Sequence, residues 1–171
     1  DKFIQTVKAI APTFGGINLE DIKAPECFEI ERRLKEELNI PIMHDDQHGT
    51  AIITSAGLLN ALVFNKKKIE DIKIVVNGAG ASAISCSRLY KALGAKPENI
   101  IMLDSRGVIH NERTDINETK KEFISTTKAR TLAEAVNGAD VFLGLSIGGV
   151  MKPEMLSTMA DQPIVFALAN P

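Results

Sequence analysis

Two adjacent-acid pairs, Glu20-Asp21 and Asp45-Asp46, are the first residues in this chain whose types could do chemistry. Each pair lies at or just past the end of a short apolar run, Ile17-Asn18-Leu19 and Ile40-Pro41-Ile42-Met43. Carboxylates from two separate strand ends can converge on one hard cation. An all-oxygen donor set selects Mg²⁺ or Mn²⁺ over zinc. The same acids also suit helix N-termini, where they cap or meet the dipole. Both readings stand on residue type alone. Neighbours on a strand point to opposite faces, so both members of a pair reach one ion only where the strand has broken into a turn.

A glycine turn is the second chemical group. Lys73-Ile74-Val75-Val76-Asn77 is a β-branched run, followed by Gly78-Ala79-Gly80-Ala81-Ser82-Ala83 and then an apolar-periodic segment. This is the strand, turn and helix opening of a dinucleotide-binding βαβ unit. Gly78 permits the tight turn, Gly80 lets backbone approach a pyrophosphate, and Ala83 is small enough for close helix–strand packing. The helix start offers free N–H groups to phosphate. A second strand, Asn99 to Leu103, ends at Asp104, at the separation where an acid meets the adenosine ribose. Asp104 favours NAD through the ribose diol, whereas Ser105-Arg106 suits a 2′-phosphate, so NAD and NADP both remain open. Ser146, at a later strand end, either lines the nicotinamide-ribose region or caps a helix.

His44 and His48 flank the second acid pair at i,i+4 spacing, but no H-E-x-x-H is present. They read as a strand-end residue and a helix-entrance residue rather than ligands. Cys27 and Cys86 form no close metal or redox pair and read as reduced, buried thiols.

These groups need elements to hold them. Hydrophobic period gives alternating helices and strands, which implies a doubly wound parallel α/β sheet. Phe3, Val7 and Ile10 mark a first helix. Pro25 opens a second, with Cys27, Ile30, Leu34 and Leu38 inward and Glu29/Arg33 and Glu31/Lys35 as a solvated outer face. From Thr50 to Phe64 the chain is apolar nearly all round, as in a helix buried on several sides, and a helix running back through Asp45-Asp46 is not expected. Asp104 to Lys121 reads as a polar surface excursion. Short strands follow at Val141 to Ser146 and Pro163 to Leu168, with Asn170 just beyond the last.

Composition is that of an ordinary globular protein: 171 residues, 44% hydrophobic, 25% charged, formal net charge −2. That charge argues against nucleic-acid and anionic-membrane partners. No apolar run reaches the length of a membrane span and no signal-peptide pattern is seen, which points to a cytoplasmic protein. The start at Asp1 and the stop at Ala169-Asn170-Pro171 suggest an internal piece of a longer polypeptide.

The order of these motifs resembles the malic enzyme family. Phe14-Gly15-Gly16-Ile17-Asn18-Leu19-Glu20-Asp21-Ile22 is similar to the bacterial-type metal segment of that family. His44-Asp45-Asp46-Gln47-His48-Gly49-Thr50-Ala51 is similar to its D-D-x-x-G-T-A segment. The glycine turn from Gly78 to Ala83 matches its nucleotide turn, and Ala169-Asn170-Pro171 its substrate asparagine. The resemblance implies that Glu20, Asp21 and Asp46 bind Mg²⁺ or Mn²⁺. It implies that Asp45 supports the catalytic lysine and that Asn170 hydrogen-bonds malate.

It also implies a Rossmann-like NAD(P)-binding domain over residues 47–171, truncated at its C-terminus. Residues 1–46 would be the C-terminal part of the preceding α/β substrate and metal domain. The expected reaction is metal-dependent oxidative decarboxylation of (S)-malate to pyruvate and CO₂ by a homo-oligomer. The family's general-base lysine and general-acid tyrosine lie N-terminal to its metal segment. Lys2, Lys8 and Lys23 sit in the wrong setting, and Tyr90 reads as a packing residue. The chain alone is therefore expected to be inactive. The alternatives are a metal-independent amino-acid or methylene-folate dehydrogenase domain, and a non-catalytic nucleotide-binding module.

Overall fold

The computed structural model describes residues 1–169. The first part of the chain comprises helix α1 (Lys2–Ile10), strand β1 (Ile17–Leu19), helix α2 (Glu26–Glu37) and strand β2 (Ile42–His44). β1 and β2 pair in parallel, with Leu19 opposite His44. Ile4, Val7, Leu19, Leu34 and Ile42 form the small core between these strands and helices. Within α1 the inward residues are Ile4 and Val7, while Phe3 and Ile10 are exposed. The i,i+3 pairing of Ile4 and Val7 is the buried stripe, and the sequence period alone did not fix its phase.

Helix α3 (Asp45–Asn65) begins directly at the end of β2 and so includes both acids in its first turn. It starts five residues before the periodic segment because two acids suit a helix N-terminus although they break the apolar pattern. Leu58 and Leu62 face the core. The opposite side carries Ile52, Ile53, Leu59, Val63 and Phe64, with Phe64 87% exposed. Among the described residues, burial on several sides therefore does not hold: α3 packs along one side, chiefly on α4 (Ala81–Ala92).

The larger sheet runs β5-β4-β3-β6-β7, from β3 (Ile74–Asn77), β4 (Ile100–Asp104), β5 (Gly107–Val108), β6 (Val141–Gly144) and β7 (Ile164–Ala167). All pairings are parallel except β4 with β5. Residues of β3, β4 and β6 are buried on both faces, as a sheet covered by helices requires. The strand order reverses at β3, which has β4 on one side and β6 on the other. Ligands of such sheets bind outside the carboxyl ends at that point.

The expected polar excursion after Asp104 opens instead with a tight turn into β5, with Val108 and Ile109 fully buried, while His110 to Lys121 are exposed or half-buried. A two-residue strand is too short to show a period of two. Short helices α5 (Glu118–Lys121), α6 (Leu132–Val136) and α7 (Pro153–Leu156) complete the chain, α6 closed by a Thr131/Glu134 capping box. Among the described residues, no helix is long and apolar enough to cross a membrane.

Candidate functional site

A cavity of about 780 Å³ opens at the switch point, outside the ends of β3, β4 and β6. Asn77, Gly78, Ala79 and Gly80 form one wall, Asp104, Ser105 and Lys120 another, and Leu145 to Ile147 a third. Gly78 has φ +137°, and a Cβ there would lie 2.9 Å from the Leu145 carbonyl oxygen. Gly80 has φ −88°, and a Cβ there would meet nothing within 4 Å. The first glycine is required by the fold, whereas the second only keeps a space clear. Helix α4 begins after Gly80 without a side-chain cap, so its first N–H groups face that space. Ala83 is buried against the sheet, as its size suggests.

Ser146 starts no helix, so the capping alternative is excluded. Its Oγ accepts from Asn77 Nδ2 at 2.6 Å, which ties the ends of β3 and β6 together in the cavity wall.

Asp104 is not a free acid. Arg106 N–H and Arg113 Nη1 donate to Oδ1 at 2.9 and 2.8 Å, and Arg113 Nη2 and Lys120 Nζ to Oδ2 at 3.0 and 2.8 Å. A carboxylate has about four lone-pair positions, and donors of the chain itself take them all. Burial pushes this carboxyl up, but the Arg113, Lys120 and Arg106 bonds outweigh it and hold the group well below the usual carboxylate range. The ribose contact expected from spacing therefore meets a neutralised, occupied acid.

The acidic residues gather at the ends of β1 and β2. After Leu19 the strand is broken, and Asp21 lies in the left-handed region with φ +57°. That conformation aims the Asp21 N–H at Asp46, whose Oδ2 accepts it at 3.0 Å. Glu20 Oε2 accepts from Asn18 Nδ2 at 3.4 Å. Asp21 and Asp46 are thus brought together. Among the described residues, no three His, Cys, Asp or Glu side chains stand close enough to hold an ion as they are. The donor chemistry, all oxygen and all anionic, fits a hard divalent cation once the side chains turn inward. Asp45 lies over Gly49, where any Cβ would collide with its carboxylate.

Glu31, which its charged helix neighbours suggest lies on a solvated face, is instead buried. Its carboxylate accepts from the His44 N–H at 3.2 Å, from Gln47 Nε2 at 3.4 Å, and from Lys35 and His48, each at 2.8 Å. Burial pushes its carboxyl up, but the bonds from Lys35 and His48 outweigh that and hold it below the ordinary glutamate range. Glu31 clamps α2 onto the junction that carries Asp45 and Asp46. Lys35 at i,i+4 signals the ion pair but not the burial.

The two halves of the site meet at Ser82. Its Oγ donates to the Asp46 carbonyl at 2.5 Å. A cavity of about 360 Å³ beside this bond is lined by Asp46, Thr50, Ser82, Ser146 and Ala169. Asn170 lies outside the described residues. Cys27 and Cys86 are free and buried, and burial pushes both thiols up. Tyr90 is fully buried in the core, as packing requires.

Residues 47–171 match the family described as malic enzyme, NAD binding domain. The chain belongs to the malic enzyme family. Residues 1–35 also match the malic enzyme N-terminal domain. An NADP-dependent malic enzyme from Halomonas elongata is 59% identical over 99% of the chain, which spans 40% of that relative. An NAD-dependent malic enzyme from Geobacillus stearothermophilus is 53% identical over the whole chain, 36% of its own length. The crystal structure of an NAD-dependent malic enzyme from Thermotoga maritima superposes with a TM-score of 0.92 at 45% identity, covering 99% of this chain and 46% of that one. A D-isomer specific 2-hydroxyacid dehydrogenase at 12% identity and TM-score 0.51 shares the fold alone.

Proposed function

We propose that this chain is the cofactor- and metal-binding portion of an enzyme that oxidatively decarboxylates (S)-malate to pyruvate and CO₂, reducing NAD or NADP. The observation that carries the proposal is the Ser82–Asp46 bond, which sets the glycine turn directly against the acidic cluster. In this reading residues 1–46 close the preceding substrate and metal domain, and residues 47–171 form the nucleotide domain. The relatives bear both cofactor names, so their names do not select between NAD and NADP.

When bound, the nicotinamide accepts a hydride, and a Mg²⁺ or Mn²⁺ ion offsets negative charge developing on substrate oxygens. Glu20, Asp21 and Asp46 would hold the ion. Gly80 clears the approach for the pyrophosphate, and the N–H groups of Ala81, Ser82 and Ala83 bind it at the positive end of α4. The Asn77–Ser146 pair orients the nicotinamide-ribose end. Asp45, seated on Gly49, would support the catalytic lysine, as the family resemblance implies. Asn170 would hydrogen-bond malate, as the family resemblance implies.

The general base and acid of the family lie N-terminal to its metal segment, so the chain alone binds ligands without turnover. General acid–base catalysis is worth roughly 10²–10⁴-fold per group. The test is malate-dependent NAD(P)H formation with pyruvate and CO₂ release. The full-length enzyme should show it and lose it on chelation, and residues 1–171 alone should not. Substantial turnover by the chain alone would place the base inside it and overturn this division. Chelator-resistant activity of the full-length enzyme would overturn the metal assignment.

A further inference from the structure

His44 is the last residue of β2, and its side chain is completely enclosed. Neither ring nitrogen has a hydrogen-bond partner. Its backbone N–H goes to Glu31, so that bond holds the main chain and leaves the ring alone. Buried polar atoms without partners are rare in native proteins, and an aliphatic side chain of similar volume would fill this space without leaving any. The nearest acid to the ring is Asp46, with Oδ2 3.7 Å from Nε2. The ring is wholly enclosed, whereas the Asp46 side chain is 42% exposed and has room to turn.

We propose that His44 is a positioning residue, whose Nε2–H donates to the Asp46 carboxylate when Asp46 takes a divalent cation. The inference rests on the metal reading of Asp46 given above. At rest, Oδ2 is held by the Asp21 N–H at 3.0 Å and stands just outside hydrogen-bond reach of the ring. A carboxylate oxygen accepts two bonds. Closing the 3.7 Å gap would bring Oδ2 within reach of Nε2, and its second lone pair would let it keep the Asp21 N–H. Two donors, one from each strand end, then fix one oxygen and leave the other for the ion. His44 does not itself ligate, because its ring is shut away from the exposed side of the cluster. A ligating carboxylate held in this way loses less freedom on binding, and removing such outer contacts typically costs 10–100-fold in metal affinity.

The test measures Mn²⁺ alone by electron paramagnetic resonance on the full chain, beside circular-dichroism melting. Wild type is read first against Asp46→Asn. Equal Mn²⁺ binding by these two proteins, or none by wild type, removes the metal reading and this inference with it. With that control passed, His44→Leu should bind Mn²⁺ roughly 10–100-fold more weakly, with an unchanged or higher melting temperature. His44→Gln, which restores an N–H near the Nε2 position, should recover most of the affinity. A purely structural histidine predicts the reverse, a lower melting temperature with Mn²⁺ affinity intact, and that result overturns the proposal. Should His44→Leu not fold, ¹⁵N-histidine NMR of wild type with Mg²⁺ decides: a proton on Nε2 that becomes exchange-protected supports the proposal, and a proton on Nδ1 ends it.

Discussion

Gly78 and Gly80 stand two residues apart and are glycine for different reasons. Gly78 is bound to the fold, by a positive φ and by the Leu145 carbonyl against it. Gly80 has ordinary backbone angles and open space where a Cβ would go. Gly80→Val should therefore leave the melting temperature within a degree or two of wild type while NAD(P) binding falls by at least tenfold, read by calorimetry with both cofactors. Equal binding by the two proteins would show that nothing approaches the turn. The glycines were legible from sequence because their requirement is local: a strand, a turn and a helix start within eleven residues. Asp104 was legible only as a position. Its neutralisation by Arg113 and Lys120 comes from residues 9 and 16 positions further on, and spacing from the glycine turn cannot report it.

At the level of elements, one side chain joins α2, β2 and α3. Glu31 gathers the His44 N–H, Gln47, His48 and Lys35 at the junction beneath the acidic pair. Glu31→Leu strips these donors of their acceptor inside a buried setting. The expected loss is about 1–3 kcal/mol of unfolding free energy by urea denaturation, with weaker Mn²⁺ binding by the protein that remains folded. A change within 0.5 kcal/mol, roughly that of an ordinary surface substitution, would return Glu31 to the solvated face. The six parallel strands were visible as apolar or β-branched runs, and so were the helices between them. What escaped was set by distant partners. Glu31 looked solvated because its helix neighbours are charged, while its burial comes from residues 13 to 17 positions away. β5 escaped because two residues carry no period, and the start of α3 because acids interrupt one. The exposed Val63 and Phe64 show the limit of composition: an apolar helix surface says nothing of which side its neighbours cover.

For the whole molecule, the nucleotide turn and the acidic cluster are separate in sequence, and among the described residues they share a single direct hydrogen bond, from Ser82 to the backbone of Asp46. Thermodynamics makes such a joint a two-way device. If cofactor on the turn sharpens the Asp46 geometry, Mn²⁺ affinity rises, and Mn²⁺ must then raise cofactor affinity by the same factor. Coupling of this kind typically amounts to 5–150-fold. Titrating wild type with each ligand, in the absence and presence of the other, should give two equal ratios above one. In Ser82→Ala both ratios should fall toward one, by the same amount, even though neither ligand touches the lost hydroxyl. Ratios that stay at the wild-type value would mean that the two ligands communicate through the α3–α4 packing instead. If the coupling holds, a protein short of metal would also hold its dinucleotide loosely. The hydroxyl of one serine would then make the molecule count both ligands before it commits to either.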